Sequence, residues 1–235
     1  MTLKSGLATA LVGAIVAVIV IIGALGVLGL YLTNNPEILV KAGNKLERRK
    51  QEARQQEAIA DYADALFRSQ KAPFVGDPDA DVTVVEFSDY NCGFCRRAVP
   101  DVAKLLEKDG RVKVVFKHLP ILGDDSVEAA KGALAAGKQD KYFDMHQRLL
   151  SDPGRATKSK VLGIANAIGL DVPRLEKDME SKDVQAALDE AQQLAVNLGI
   201  RGTPFYLIGD RSIGGASEDL YDQLVREVTV VRGQD

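Results

Sequence analysis

Apolar and polar positions divide the chain into three regimes. In the first, from Gly6 to Leu32, no side chain is charged, and apolar residues lie on every face of the helix that the run would form. The run exceeds the ~20 residues that cross ~30 Å of hydrocarbon at 1.5 Å per residue. It is longer than the ~7–15-residue core of a cleaved leader. Residues 1–33 are therefore expected to be an uncleaved signal anchor, a transmembrane helix. Cleavage near Ala24-Leu25-Gly26 is the alternative.

The second regime, residues 34–71, is rich in Ala, Gln, Glu and Arg, and no Pro or Gly interrupts it from Asn44 to Lys71. Strong helix formers dominate, which predicts a helical stalk. Leu39, Leu46, Ala53, Ala60 and Phe67 recur every seven residues, with Ile59 and Leu66 beside the last two. Arg49 and Gln56 break the middle of that seam, where a coiled coil wants apolar residues. A lone spacer and an oligomerising helix over about residues 36–70 both fit.

The third regime begins where APFVGDPDADV breaks the composition, placing a domain at 72–235. VTVVEFS reads as a buried strand. Val99, Val102, Leu105 and Leu106 then keep helical spacing, with Pro100 as a kink and Gly110 as a stop. RVKVVFKHLP is a second strand, so strand, helix, strand predicts a parallel pair. About 124–199 reads as helical throughout. Breaks at Asp152-Pro153-Gly154 and at Gly169 predict three or four helices. TPFYLIGDRSIGGA, with a Gly209-Asp210 turn, predicts a hairpin, and SEDLYDQLVREVTVV closes the chain as a helix. The fold class is α/β.

Charge narrows the function. The chain carries 30 Lys and Arg against 33 Asp and Glu, a net −3, with no basic patch that would bind nucleic acid. Lys41, Lys45, Arg48, Arg49 and Lys50 follow the apolar run, against Lys4 before it. Taken alone, that asymmetry would leave the domain in the cytoplasm, although large domains translocate largely regardless of charge.

The two cysteines of the chain, Cys92 and Cys95, sit together in SDYNCGFCRRAVP. They follow the first strand and open the helix after it. Unpaired N–H groups and the helix dipole favour an anion there, and a second thiol lies one turn on. That is the arrangement for thiol–disulfide exchange: Cys92 attacks a substrate disulfide and Cys95 resolves the mixed disulfide. Structural zinc needs about four ligands, and His118 and His146 are not at finger spacing. A structural staple, a pair of buried free thiols and a Cu(I) site on the same two sulfurs remain as alternatives. An acid at Glu86, late in an apolar strand, needs a job or a partner, and Lys117 is the candidate partner.

VEFSDYNCGFCRRAVP resembles the active-site segment of the thioredoxin superfamily, and the helical insert makes it similar to the DsbA-like branch. The stalk ILVKAGNKLERRK, with FKHLPILGDDS and GIRGTPFYLIG, resembles the suppressor-of-copper-sensitivity C proteins within that branch. The resemblance covers roughly residues 36–232. It implies a thioredoxin fold with an inserted helical block and a redox pair cycling through a Cys92–Cys95 disulfide. By the same resemblance Glu86 relays a proton to or from the resolving thiol, and Pro100 matches the helix-kinking proline. Thr203-Pro204 matches the cis-proline loop, which shapes a substrate groove beside Phe94. Strict DsbA has a histidine between its cysteines where this chain has Gly93-Phe94, and the aromatic with Thr203 is similar to the isomerase branch instead. Arg96 and Arg97 are expected to point to solvent.

The expected function is thus exchange on extracytoplasmic proteins, as an isomerase or oxidoreductase. No cofactor and no resident metal are implied. The expected partners are thiol- or disulfide-bearing proteins and a membrane redox protein, with a homo-oligomer possible through the stalk. The expected place is the inner membrane, with the catalytic domain periplasmic. Cu(I) handling and a tethered binding module with a vestigial motif are the other classes.

Overall fold

The computed structural model describes residues 3–69 and 72–233, with side chains from residue 19 onward. The chain divides into two compact units, Met1–Arg54 and Gln55–Asp235.

In the first unit, α1 (Leu3–Asn34) is a long helix, and α2 (Pro36–Asp61) begins after Asn35 and runs on into the second unit. Much of the expected membrane span, residues 6–18, lies outside the described side chains. Among the described residues no single helix is long and apolar enough to cross a membrane. The segments 19–34 and 36–61 pass that test only together, with an 88° bend between them. Leu39 and Leu46 of the heptad seam are exposed.

The second unit starts earlier than the composition break predicts. Helix α2 ends at Asp61 and a short α3 (Ala63–Phe67) follows, where one unbroken helix was expected. Ile59 and Leu66 are buried in a core with Val85, Phe87, Val115 and Leu207, so the last turns of the expected stalk belong to the catalytic unit. Gln55 donates to the Leu198 carbonyl, and Asn197 to the Tyr62 hydroxyl.

The sheet has five strands in the order β1-β3-β2-β4-β5: β1 (Phe74–Gly76), β2 (Val82–Ser88), β3 (Val112–His118), β4 (Phe205–Ile208) and β5 (Arg211–Gly214). Strands β2 and β3 are parallel, joined by α4 (Gly93–Lys108), and the other pairings are antiparallel. The β4–β5 hairpin turns on Gly209 at φ +56, and a Cβ there would stand 3.0 Å from Val231.

Between β3 and β4 lies the helical insert. It holds five helices rather than three or four: α5 (Asp124–Gly137), α6 (Tyr142–Ser151), α7 (Lys158–Ala167), α8 (Val172–Met179) and α9 (Lys182–Asn197). The last helix is α10 (Leu220–Arg232).

Because side chains alternate along a strand, the sheet has two chemically distinct faces. Val82, Val84, Val114, Phe116, Tyr206 and Ile208 meet α4 and α10 through Ala98, Val102, Leu105, Leu220 and Leu224. Val85, Phe87, Val115 and Leu207 meet α3 and α9 instead. A third core, inside the insert, reaches Tyr90, Cys92 and Cys95.

Candidate active site

The site is built where β2 passes into α4. Cys92 caps the helix with extended backbone, φ −80 and ψ 118, and Cys95 lies in its first turn. Both thiols are free. Cys92 is 7 % exposed and Cys95 1 %, so even the leading sulfur is more sheltered than a bare helix terminus suggests. The reason is the opposing loop: Cys92 Sγ lies 3.2 Å from the carbonyl oxygen of Thr203. The Thr203–Pro204 peptide bond of that loop is cis. Burial, followed by the charges of Cys92 and Glu86, pushes the Cys95 thiol well above its ordinary range.

Glu86 sits beneath α4. In register it is flanked by Phe116 on β3 and Tyr206 on β4, both on its own face of the sheet. It is 4 % exposed, and burial pushes its carboxyl up to about 8. A cavity of about 60 Å³ beside it is lined also by Val99, Val102, Phe143, His146 and Gln147. Such a space holds water when polar groups line it.

Lys117 is not the partner of Glu86. One residue beyond Phe116, it points to the opposite face of the sheet and pairs with Glu190 of α9. Strand alternation forbids the expected pair. Arg96 and Arg97 do not point freely to solvent either. Arg96 donates to the carbonyls of Leu150, Asp152 and Gly154 at 3.2, 2.8 and 3.0 Å, fastening α4 to the end of α6. Arg97 donates to the Ala216 carbonyl and stands 4.5 Å from the Phe94 ring. Phe94 is 55 % exposed beside Cys92, and its ring is held by that cation. Pro100 lies within α4, where it removes one backbone donor from the helix.

Sequence reasoning missed the residues that hold this loop. The Asp89 carboxylate accepts from the N–H groups of Asn91, Ile121 and Leu122, joining the cysteine loop to the loop after β3. Asn91 bonds Ser126 and the Ala156 backbone. Tyr90 reaches His146 Nδ1 at 2.9 Å, and Tyr142 bridges His146 at 3.4 Å and His118 Nε2 at 3.1 Å. Burial lowers both imidazoles to about 3, with the His118 charge adding to the effect on His146. The histidines are thus neutral buried acceptors or donors, and each is engaged by tyrosine. His118 carried some signal in the sequence, a polar residue late in the apolar run VKVVFKHLP, whereas His146, flanked by Asp144, Gln147 and Arg148, carried none. Among the described residues no group of three or more His, Cys, Asp or Glu is arranged to hold a metal.

With this geometry in hand, comparison with known proteins is specific. The family model described as DSBA-like thioredoxin domain matches residues 83–227. The chain is similar to a solved thioredoxin-like oxidoreductase from Silicibacter pomeroyi, at 42 % identity and TM-score 0.70, covering 72 % of this chain and 97 % of that one. A Proteus mirabilis ScsC linker-deletion mutant matches at 30 % identity and TM-score 0.72, covering 87 % and 90 %. The thiol-disulfide exchange protein alpha-DsbA2 from Wolbachia pipientis matches at 30 % identity and TM-score 0.71, covering 77 % and 98 %. Among curated sequences it matches a Na(+)/H(+) antiporter, NhaA 1 of Salinispora arenicola, at 31 % identity over 143 residues, 60 % of this chain. The chain spans about a fifth of that relative's length, 22 %.

Proposed function

The chain belongs to the DsbA-like thioredoxin family and its domain is a thiol:disulfide oxidoreductase; on that premise we propose that the protein exchanges disulfides with extracytoplasmic proteins through Cys92 and Cys95. The observation that carries this reading is Cys92 at the N-terminus of α4, its sulfur 3.2 Å from the Thr203 carbonyl of the cis-proline loop.

The Cys92 thiolate attacks one sulfur of a substrate disulfide, forms a mixed disulfide and releases the other sulfur as thiolate. Cys95 then gives its proton to the Glu86 carboxylate and attacks Cys92 Sγ. That step releases the reduced substrate and leaves a Cys92–Cys95 disulfide. Run backwards, the sequence oxidises a dithiol. If instead the released substrate thiolate attacks a second substrate disulfide, and the thiolate freed there attacks the substrate sulfur bound to Cys92, Cys92 leaves as thiolate and the substrate is isomerised. Thr203, Pro204 and Phe94 line the place where the substrate backbone meets Cys92. Gly93-Phe94 puts no cation between the cysteines, which favours isomerisation over strong oxidation.

The uncharged run from Gly6 to Leu32 supports an inner-membrane anchor, and the exchange chemistry, useful where disulfides form, supports a domain on the outer side. A membrane redox protein would reset the pair. The exposed Leu39 and Leu46 support self-association through the stalk before Gln55. The test is a parallel assay of the full chain for reactivation of a scrambled-disulfide substrate and for oxidation of a dithiol peptide. Reactivation is expected to exceed oxidation and to vanish in Cys92→Ser. Failure of the wild-type chain in both assays would remove the reading.

A further inference from the structure

Tyr206 lies two residues after the cis proline on β4, on the face that α4 covers. It is completely buried, yet its hydroxyl has no hydrogen-bond partner. A buried hydroxyl without a partner destabilises a core that phenylalanine would fill as well. Its register partner is Glu86. Side chains paired in this way across an antiparallel ladder stand with Cβ atoms about 4.5–5.5 Å apart on one face. The buried acid and the buried tyrosine therefore stand side by side on the face that α4 covers; their charges are coupled, although no hydrogen bond joins them here.

We propose that Tyr206 is a positioning residue for the resolving step: its hydroxyl donates to the Glu86 carboxylate and so holds that group in the form that accepts the Cys95 proton. The proposal rests on the exchange reading above and names a further residue for it. In the dithiol state shown here the carboxyl is protonated at neutral pH, because burial pushes it up to about 8, and the hydroxyl is idle. Once the carboxyl ionises, the hydroxyl is the donor beside it. Burial, and after it the charge on Glu86, holds the hydroxyl well above its ordinary range, so it keeps the proton it must donate. The other ionisable groups coupled to this pair are Cys95 and Asp101 of α4 and its cap Cys92, together with Tyr90 and Tyr142, whose hydroxyls are already engaged by His146 and His118. His146 of α6 lines the cavity beside Glu86 and stays neutral. Helix α10 presents Leu220, Leu224 and Val228 to the same core. Lys117 is excluded by facing the other side of the sheet.

The test uses the reduced full chain in detergent, mixed with oxidised glutathione. Two steps are followed across pH: attack by Cys92, which releases the first glutathione, and resolution by Cys95, which releases the second. Tyr206→Phe is expected to leave the first step unchanged. It should slow the second about tenfold near neutral pH and move its pH profile up by about one unit, the loss of one hydrogen bond to a charged group. In a Glu86→Gln background Tyr206→Phe should have no further effect on the second step, and melting temperature should not fall in either variant. A Tyr206→Phe profile that superimposes on wild type, while Glu86→Gln still slows resolution, would overturn the inference and leave the exchange reading standing. An effect that persists undiminished in Glu86→Gln would also overturn it. If the wild-type chain releases no glutathione at all, the exchange reading fails and takes this inference with it.

Discussion

Replacing Glu86 by glutamine should make the protein more stable, and by an amount that depends on pH. The carboxyl is 4 % exposed, and no ion pair or hydrogen bond reaches it among the described residues. Burial raises it from 4.5 to about 8. Below about pH 4.5 both the folded and the unfolded chain hold the proton, and the group is neutral in each. Between about 4.5 and 8 the unfolded chain has lost the proton and the folded one keeps it. The folded state then binds more protons than the unfolded, so stability falls as pH rises, by about 1.4 kcal/mol per unit. The whole window amounts to about 5 kcal/mol, and about 3 kcal/mol of that is present by pH 7. Glutamine has no such slope. Urea unfolding of reduced wild-type and Glu86→Gln protein at about pH 5, 7 and 8.5 measures it, as the difference between the two ΔG values. The difference should widen steadily toward alkaline pH. Parallel stabilities across that range would mean that Glu86 ionises as freely in the fold as outside it, and the account of a buried proton carrier would be refuted.

Lys117→Met should lower stability through loss of the Glu190 pair, yet leave the pH-dependent gap of Glu86→Gln unchanged. A gap that changes with Lys117 would mean the two charges communicate through the sheet. Cys95→Ser should accumulate mixed disulfides with substrate, visible on non-reducing gels, and Cys92→Ser should accumulate none. Arg96→Ala strips the donors from three carbonyls at the end of α6 and should cost about 1–3 kcal/mol, read by urea unfolding. An unchanged midpoint would show that water replaces the guanidinium without loss. On the acid side, two neutral imidazoles lowered to about 3 predict that stability falls as pH drops from about 6.5 toward 3, because the unfolded chain takes up protons first. Acid titration of the folded protein, followed by circular dichroism, checks this.

The elements written in long periodic runs were legible. VTVVEFS and RVKVVFKHLP are strands because continuous β-branched runs suit positions covered on both faces, and the hairpin at Gly209-Asp210 follows from a glycine able to take positive φ. What escaped was short or was decided from far away. Strand β1 is three residues between Pro73 and Asp77. It pairs at the outer edge of β3 and has no room to show alternation. The α8 helix is eight residues long, and its signals, the Asp171 cap and Pro173 in the first turn, lie inside a stretch that reads as helical throughout. The break at Tyr62 has neither proline nor glycine. The chain turns there and buries both Ile59 and Leu66 against the sheet, a tertiary demand that local propensity does not encode. At the site, the thiols and the cis-proline loop stood out by motif. Lys117 was misassigned because a place at the end of β3 does not reveal which of its residues stands beside Glu86 in the register; that residue is Phe116. Tyr206 escaped because a tyrosine in FYLI reads as one more apolar position. Asp89, Tyr90 and the two histidines escaped because hydrogen bonds across 24 to 56 residues leave no spacing behind.

The insertion of five helices between β3 and β4 has a consequence for how the protein is made. Cys92 and the Thr203 carbonyl that shelters it are 111 residues apart in sequence. Chains grow at about 5–20 residues per second, so the thiols emerge several seconds or more before the loop that covers them exists. Throughout that interval β2 lacks its neighbour β4, and the cysteines face whatever oxidant surrounds the nascent chain, with no groove to select a partner. The same separation means that no fragment ending inside the insert holds both halves of the site. A truncated product retains two thiols but not the opposing loop, and its sulfur chemistry is that of any exposed vicinal pair.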